Sequence, residues 1–340
     1  MKRNKFLYSL VSIMPLALTS CATGVHHEIS EYFLTCDMGE KTEFHILQLT
    51  DTHVSDKDNQ DEIYAYMDRV ISTVQEQKGV DMIIITGDLF TFASKSTATR
   101  YFDYFESKKI PWTATYGNHD EQVYFSVDWM TGYLNDLTAK GGYCLFKDIQ
   151  DDDVTGNANF VIDLTKNHGA EVFERLIIMD SNRYVFGLDN GYDCFKPSQI
   201  EWYKNVIDAK KNSSDPTPES LMFYHIPLPE VNDAYEKGTK FAGDTDPEGG
   251  EKREKCCPSE ENSGFFDVIK EKGSTKGMFF GHDHINNFAR EYEGVLFSYG
   301  TKTGNRIYFD EDMMGGQLIT INQDHSLTLE RFNIPFKEAK

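Results

Sequence analysis

Five times along this 340-residue chain a short apolar run ends directly in Asp, Asn or His. Phe44–Leu49 leads into Asp51 and His53, and Met82–Ile85 leads into Gly87-Asp88. Trp112–Thr115 leads into Gly117-Asn118-His119-Asp120, Leu221–Tyr224 into His225, and Gly277–Phe280 into Gly281-His282-Asp283-His284. Continuous apolar runs of this length suit strands buried on both faces.

Helical patterns separate the runs. Ile63, Met67, Val70, Ile71 and Val74 share one helical face, and Gly79 is placed to end that helix. Ser198-Gln199-Ile200-Glu201, just after Pro197, reads as a capping box opening a helix that carries Ile200, Tyr203, Val206 and Ile207. Phe265, Phe266, Val268 and Ile269 form another helix, with Gly273 as its terminator. Alternating strands and helices imply βαβ units, in which functional residues collect beyond the carboxyl ends of the strands. Every Asp, Asn and His named above stands at such an end.

The chemistry of these residues is that of metal ligation. Carboxylates and neutral imidazoles hold Mn, Fe and Zn, and an Asn carbonyl is a weaker oxygen donor. Two ions need about eight ligand atoms. Asp51, His53, Asp88, Asn118, His225, His282 and His284 supply them if one carboxylate serves both ions. The absence of Cys from this set argues against a structural zinc site. Cys36, Cys144, Cys194, Cys256 and Cys257 form no CxxC pair and are read as structural or incidental. Acidic residues outnumber basic ones 55 to 34, for a formal charge of −21. Such a chain lacks the basic face that coats nucleic acid, so no stable nucleic-acid partner is expected.

The order D-x-H, G-D, G-N-H-D, lone H and G-H-x-H resembles the calcineurin-like metallophosphoesterase superfamily, in a branch related to purple acid phosphatases. The resemblance covers about residues 43 to 335. It implies an α/β fold of two packed mixed β-sheets flanked by helices, a four-layer sandwich. It assigns Asp51, His53, Asp88 and His284 to one metal and Asp88, Asn118, His225 and His282 to the other, with Asp88 bridging. It further implies in-line attack by a metal-bridging hydroxide on a small phosphoester, with His119 assisting the leaving group and Asp120 placed to orient His119. Purple acid phosphatases bind ferric iron through a Tyr three residues beyond the G-D Asp. Here that residue is Thr91, so two divalent ions, Mn, Fe or Zn, are expected instead. Two alternatives stand beside the phosphatase or phosphodiesterase reading. One is a non-catalytic surface lipoprotein that keeps the fold, the other a metal-dependent nuclease or nucleotidase.

The first residues read as an address. Lys2, Arg3 and Lys5 precede a short apolar stretch broken by Pro15, too short to span a bilayer. Leu18-Thr19-Ser20-Cys21 resembles a bacterial lipobox. The expected organisation is a lipoprotein signal peptide over 1–20, a tether over 21–42 starting at a lipidated Cys21, the catalytic domain over 43–335 and a tail over 336–340. It places the protein in the cell envelope, extracytoplasmic and anchored to the membrane through its lipid. Residues 232–262 lack periodicity and are read as a loop able to wall the site. His45, His168 and His325 are read as structural.

Overall fold

The small sheet is built on the first three of those apolar runs. The computed structural model describes residues 27–149, 153–185, 191–210, 212 and 215–337. Its strands are β1 (Phe33–Asp37), β2 (Phe44–Leu49), β3 (Met82–Thr86), β4 (Trp112–Thr115), β5 (Phe160–Lys166), β6 (Glu171–Ile178) and β7 (Ser220–Phe223), followed by β8 (Thr239–Lys240), β9 (Thr275–Phe280), β10 (Ala289–Tyr292), β11 (Val295–Tyr299), β12 (Gly315–Ile321) and β13 (Leu327–Asn333). Its helices are α1 (Gln60–Gln77), α2 (Lys95–Lys108), α3 (Val127–Ala139), α4 (Pro197–Asp208), α5 (Val231–Lys237) and α6 (Phe265–Lys272).

The strands form two mixed sheets, ordered β13-β12-β2-β3-β4 and β1-β5-β6-β7-β9-β11-β10-β8. In the small sheet β2, β3 and β4 are parallel, and the β12–β13 hairpin adds antiparallel beside β2. In the large sheet β6, β7, β9 and β11 are parallel. The large sheet is apolar on both faces because its side chains alternate between two cores. Leu221, Phe223 and Phe279 join the small sheet in one core, whereas Met222, Met278 and Phe280 join Trp202, Tyr203, Phe265 and Phe266 of α4 and α6 in the other. The faces of α1, α2 and α3 close the outer side of the small sheet. The result is the four-layer α/β sandwich that the resemblance implied.

A buried polar bridge ties the sheets together. Gln48 of β2 donates through Nε2 to Thr86 Oγ1 of β3 at 2.9 Å and to the Phe280 carbonyl of β9 at 3.2 Å. Gln317 of β12 donates to Gln48 Oε1 and to Ser298 Oγ of β11. The bridge joins strands of the two sheets side by side, with both Gln amide nitrogens making two hydrogen bonds each at low dielectric.

Four readings of the sequence are corrected. Within the stretch read as a tether, Ile29–Tyr32 forms a 3-10 turn and Phe33–Asp37 forms β1, an edge strand parallel to β5. Its half-buried pattern hid it, because an edge strand carries no continuous apolar run. In the tail, Phe336 packs on Tyr66 with ring centroids 5.1 Å apart, and its N–H bonds Glu311. At α4, Pro197 is the first helical residue and Gln199 reaches back to the Lys196 N–H at 3.0 Å, so the box sits two residues earlier than Ser198 predicts. The stretch 232–262 contains most of α5 and all of β8, and Arg253 pins its loop to Asp310 and Asp312. The signal peptide and Cys21 lie outside the described residues. Among the described residues no helix is long and apolar enough to cross a membrane.

Candidate metal centre

The parallel strands of both sheets end at one place. β2 delivers Asp51 and His53, β3 Asp88, β4 Asn118 and His119, β7 His225, and β9 His282 and His284. The seven expected ligands are all buried, and His119 alone among these residues is half-exposed.

The backbone is forced into position. Asp51, His53, Asp88 and His282 have φ of 53°, 47°, 51° and 83°. Non-glycine residues avoid this left-handed region at a cost on the order of 1–3 kcal/mol each, and such outliers cluster at functional sites. The motif glycines are needed for room. A Cβ at Gly117 would lie 2.3 Å from Asp88 Oδ1, and one at Gly281 would lie 2.0 Å from Thr50 Oγ1.

The imidazoles are held by their Nδ1 atoms. His225 Nδ1 donates to the Thr86 carbonyl at 2.7 Å, and His284 Nδ1 donates to the Tyr308 carbonyl at 3.0 Å. In the neutral ring each bond directs the lone pair to Nε2, the form that ligates metals. His53 Nδ1 meets Thr91 Oγ1 at 2.8 Å. The His53 and His284 Nε2 atoms then lie 3.1 Å apart, and Asp51 Oδ1 is 3.3 Å from the latter. His225 Nε2 is 3.2 Å from Asp88 Oδ2 without hydrogen-bond geometry.

Four of these residues form a candidate metal cluster. Asp51, His53, Asp88 and His284 bring one ligand atom each within 4.8 Å of one another. Asp51 Oδ1, Asn118 Oδ1, His225 Nε2 and His282 Nε2 are buried and have no hydrogen-bond partner. They are four of thirteen such atoms among the described residues, and all four belong to the strand-end motifs, where a cation would supply the missing partner. Asn118 is oriented to suit, since its Nδ2 donates to the Tyr184 hydroxyl at 2.7 Å and Oδ1 is left for a cation.

The field agrees. Burial holds the His53, His282 and His284 imidazoles neutral, His282 down to about 3. At His225 burial pulls the same way, but the Asp88 carboxylate outweighs it and lifts the ring to about 10. Two buried carboxylates thus favour positive charge at this point. Lys302 stands behind them, buried, with Nζ donating to the Asp51 carbonyl at 2.9 Å and burial lowering it to about 8.

His119 is placed differently from the ligands. Its N–H donates to Asp88 Oδ1 at 2.8 Å, and its ring lies edge-on to His53 with centroids 5.0 Å apart. Its Nδ1 bonds Gln122 Oε1 at 2.7 Å. The expectation that Asp120 orients His119 is therefore corrected. Asp120 turns away from His119 and accepts from the Phe90 and Gly117 N–H groups, and burial beside Asp88 pushes it up to about 8. Gln122, Thr91, Tyr184 and Lys302 were not found from the sequence. Only Thr91 stood at a position the resemblance marks.

The family model for calcineurin-like phosphoesterases matches residues 44–286, and the chain belongs to that family. It is 30% identical over 266 residues to "Probable inactive purple acid phosphatase 29" of Arabidopsis thaliana, covering 72% of this chain and 63% of the plant protein. It is 27% identical over 246 residues to "Probable inactive purple acid phosphatase 14" of the same plant, covering 67% of this chain and 59% of that protein. The chain thus spans about six tenths of the length of these relatives. A dimetal phosphatase of Danio rerio shares the fold, with a TM-score of 0.51 at 12% identity over 86% of this chain and 99% of that one.

Proposed function

We propose that this chain is a hydrolase that cleaves phosphoesters with two divalent ions. Asp51, His53, Asp88 and His284 would hold one, and Asp88, Asn118, His225 and His282 the other. The observation that carries this reading is the buried cluster of Asp51, His53, Asp88 and His284, whose ligand atoms lie within 4.8 Å of one another. When bound, two such ions neutralise phosphoryl oxygens and acidify water.

The protein's own groups supply the rest. The buried ligands keep the centre rigid and exclude bulk water, so binding requires little reorganisation. Half-exposed His119 faces outward beside the centre. Gln122 Oε1 accepts from Nδ1, so it is the doubly protonated ring that would deliver a proton from Nε2 to the departing alcohol oxygen, leaving the neutral Nδ1–H form. The "inactive" in the plant relatives' names is a statement about those proteins. In this chain all seven expected ligand residues and His119 are present. An extracytoplasmic, lipid-anchored location belongs to the same proposal and rests on the sequence of the first 21 residues.

The test is hydrolysis of 4-nitrophenyl phosphate and bis(4-nitrophenyl) phosphate by protein loaded with Mn, Zn or Fe. Turnover of one or both is expected to require metal. His119→Ala should lower kcat by about 10²–10⁴ with the metal content unchanged. Asp88→Ala should lose both ions and the activity together. Protein that holds two ions and turns over neither substrate would overturn the reading.

A further inference from the structure

Soluble proteins expose few large apolar side chains in one place without a use for them. Among the described residues seven such side chains are exposed, and five of them, Phe92, Tyr124, Val185, Ile307 and Tyr308, lie within two residues of Thr91, Gln122, Tyr184 or Tyr308, which bond the side chains of the centre. Phe92 follows Thr91, the partner of His53, and its N–H bonds the Gln122 carbonyl. Tyr124 is two residues past Gln122, and Val185 follows Tyr184, the partner of Asn118.

Two aromatic walls touch the ligands themselves. The Tyr308 ring stacks on His284 with centroids 4.3 Å apart and planes 28° from parallel. On the other imidazole of the same motif, the Tyr192 ring stands edge-on to His282 at 4.3 Å and 89°. Tyr184 backs Tyr192 at 5.5 Å and meets His119 at 6.3 Å. Ile307, 53% exposed, has φ of +69°. A β-branched side chain in that region is a true outlier, held here at the rim next to Tyr308.

We propose that this rim selects phosphoesters whose leaving group carries an aromatic ring, gripped between the Tyr192–Tyr184 pair and the Tyr308–Ile307 edge. The inference rests on the phosphoester reading and names its substrate class. Aromatic pairs prefer offset or edge-to-face contacts at such separations, and each contributes enough to change affinity severalfold.

The test separates the rim from catalysis by using non-hydrolysable probes. Benzylphosphonate and propylphosphonate carry the same headgroup and differ in the ring. Their dissociation constants are measured calorimetrically on protein holding two ions. Benzylphosphonate should bind about five- to tenfold more tightly. The ratio should fall towards one in Tyr192→Leu/Tyr308→Leu with two ions still bound. Ile307→Asn, which touches no ligand and tolerates a positive φ, should lower it in part. Equal affinities in the parent protein, or a ratio untouched by these changes, would overturn the inference whatever the turnover. Selective binding without hydrolysis of benzyl phosphate would instead overturn the hydrolase reading and leave the rim standing.

Discussion

At the scale of single residues, the ligands are the part of the site that the sequence displays and their supports are the part it conceals. Asp51, His53, Asp88 and His282 stand in short patterns because each leaves a strand end at once in a left-handed conformation. Gln122 and Tyr184 act through one hydrogen bond each, from a turn and a loop, and no spacing rule marks such a contact. Asp120 illustrates the opposite error. Its place beside His119 suggested a partnership, yet its carboxylate closes the backbone turn instead. Thr91 occupies the position of a family iron ligand and here holds His53 Nδ1. Outer partners of this type typically matter 10–100-fold for metal affinity. Thr91→Val keeps the shape and deletes the bond. It is expected to weaken metal binding by about that factor in a titration of metal-free protein, with little change in thermal stability of the metal-free form. Unchanged affinity would show that packing alone orients His53.

At the scale of elements, buried strands with continuous apolar runs were legible to within a residue or two. β2 and β4 match their runs end to end, and β3, β7 and β9 differ by one or two residues. Helices α2 and α3 were not read, although Tyr101, Phe102 and Phe105 show helical spacing in α2. Their faces are aromatic and interrupted by Thr and Asp, which blurs the apolar stripe. The β12–β13 hairpin carries His325 to β6, where its Nδ1 meets Glu174 Oε2 at 3.1 Å. Burial, reinforced by the Glu219 charge, pushes the Glu174 carboxyl up to about 8. A carboxyl whose folded value exceeds its unfolded value of roughly 4.3 stabilises the fold fully below that value. The contribution is lost as pH rises through about 8. Glu174→Gln keeps a polar group there and removes the titration. Its melting temperature should match the parent near pH 4 and exceed it by a growing margin up to pH 8.5, measured by calorimetry. A margin that is flat or shrinks with pH would contradict this origin.

At the scale of the whole molecule, the two sheets meet so that buried Asp, Asn and His side chains from five strand ends stand along one edge, an arrangement only the tertiary fold completes. The ends of the chain show where sequence reading fell short. Edge strand β1 looked like linker because its outer face meets solvent, but it covers the flank of β5, and Tyr32 before it packs edge-on to Trp202 at 5.6 Å. A chain beginning at Gly39 should melt at least about 4 °C lower than one beginning at His27, and should associate through the bared β5 edge in size-exclusion chromatography. Equal melting temperatures would return those residues to the status of a tether. The central claim is that one buried cluster holds two cooperating ions. The most direct measurement adds Mn stepwise to metal-free protein and reads bound metal and the rate of phosphoester hydrolysis in the same sample. The account predicts saturation at two ions per chain, with the rate climbing mainly as the second is bound. A rate complete at one ion, or two bound ions with no turnover, would contradict it.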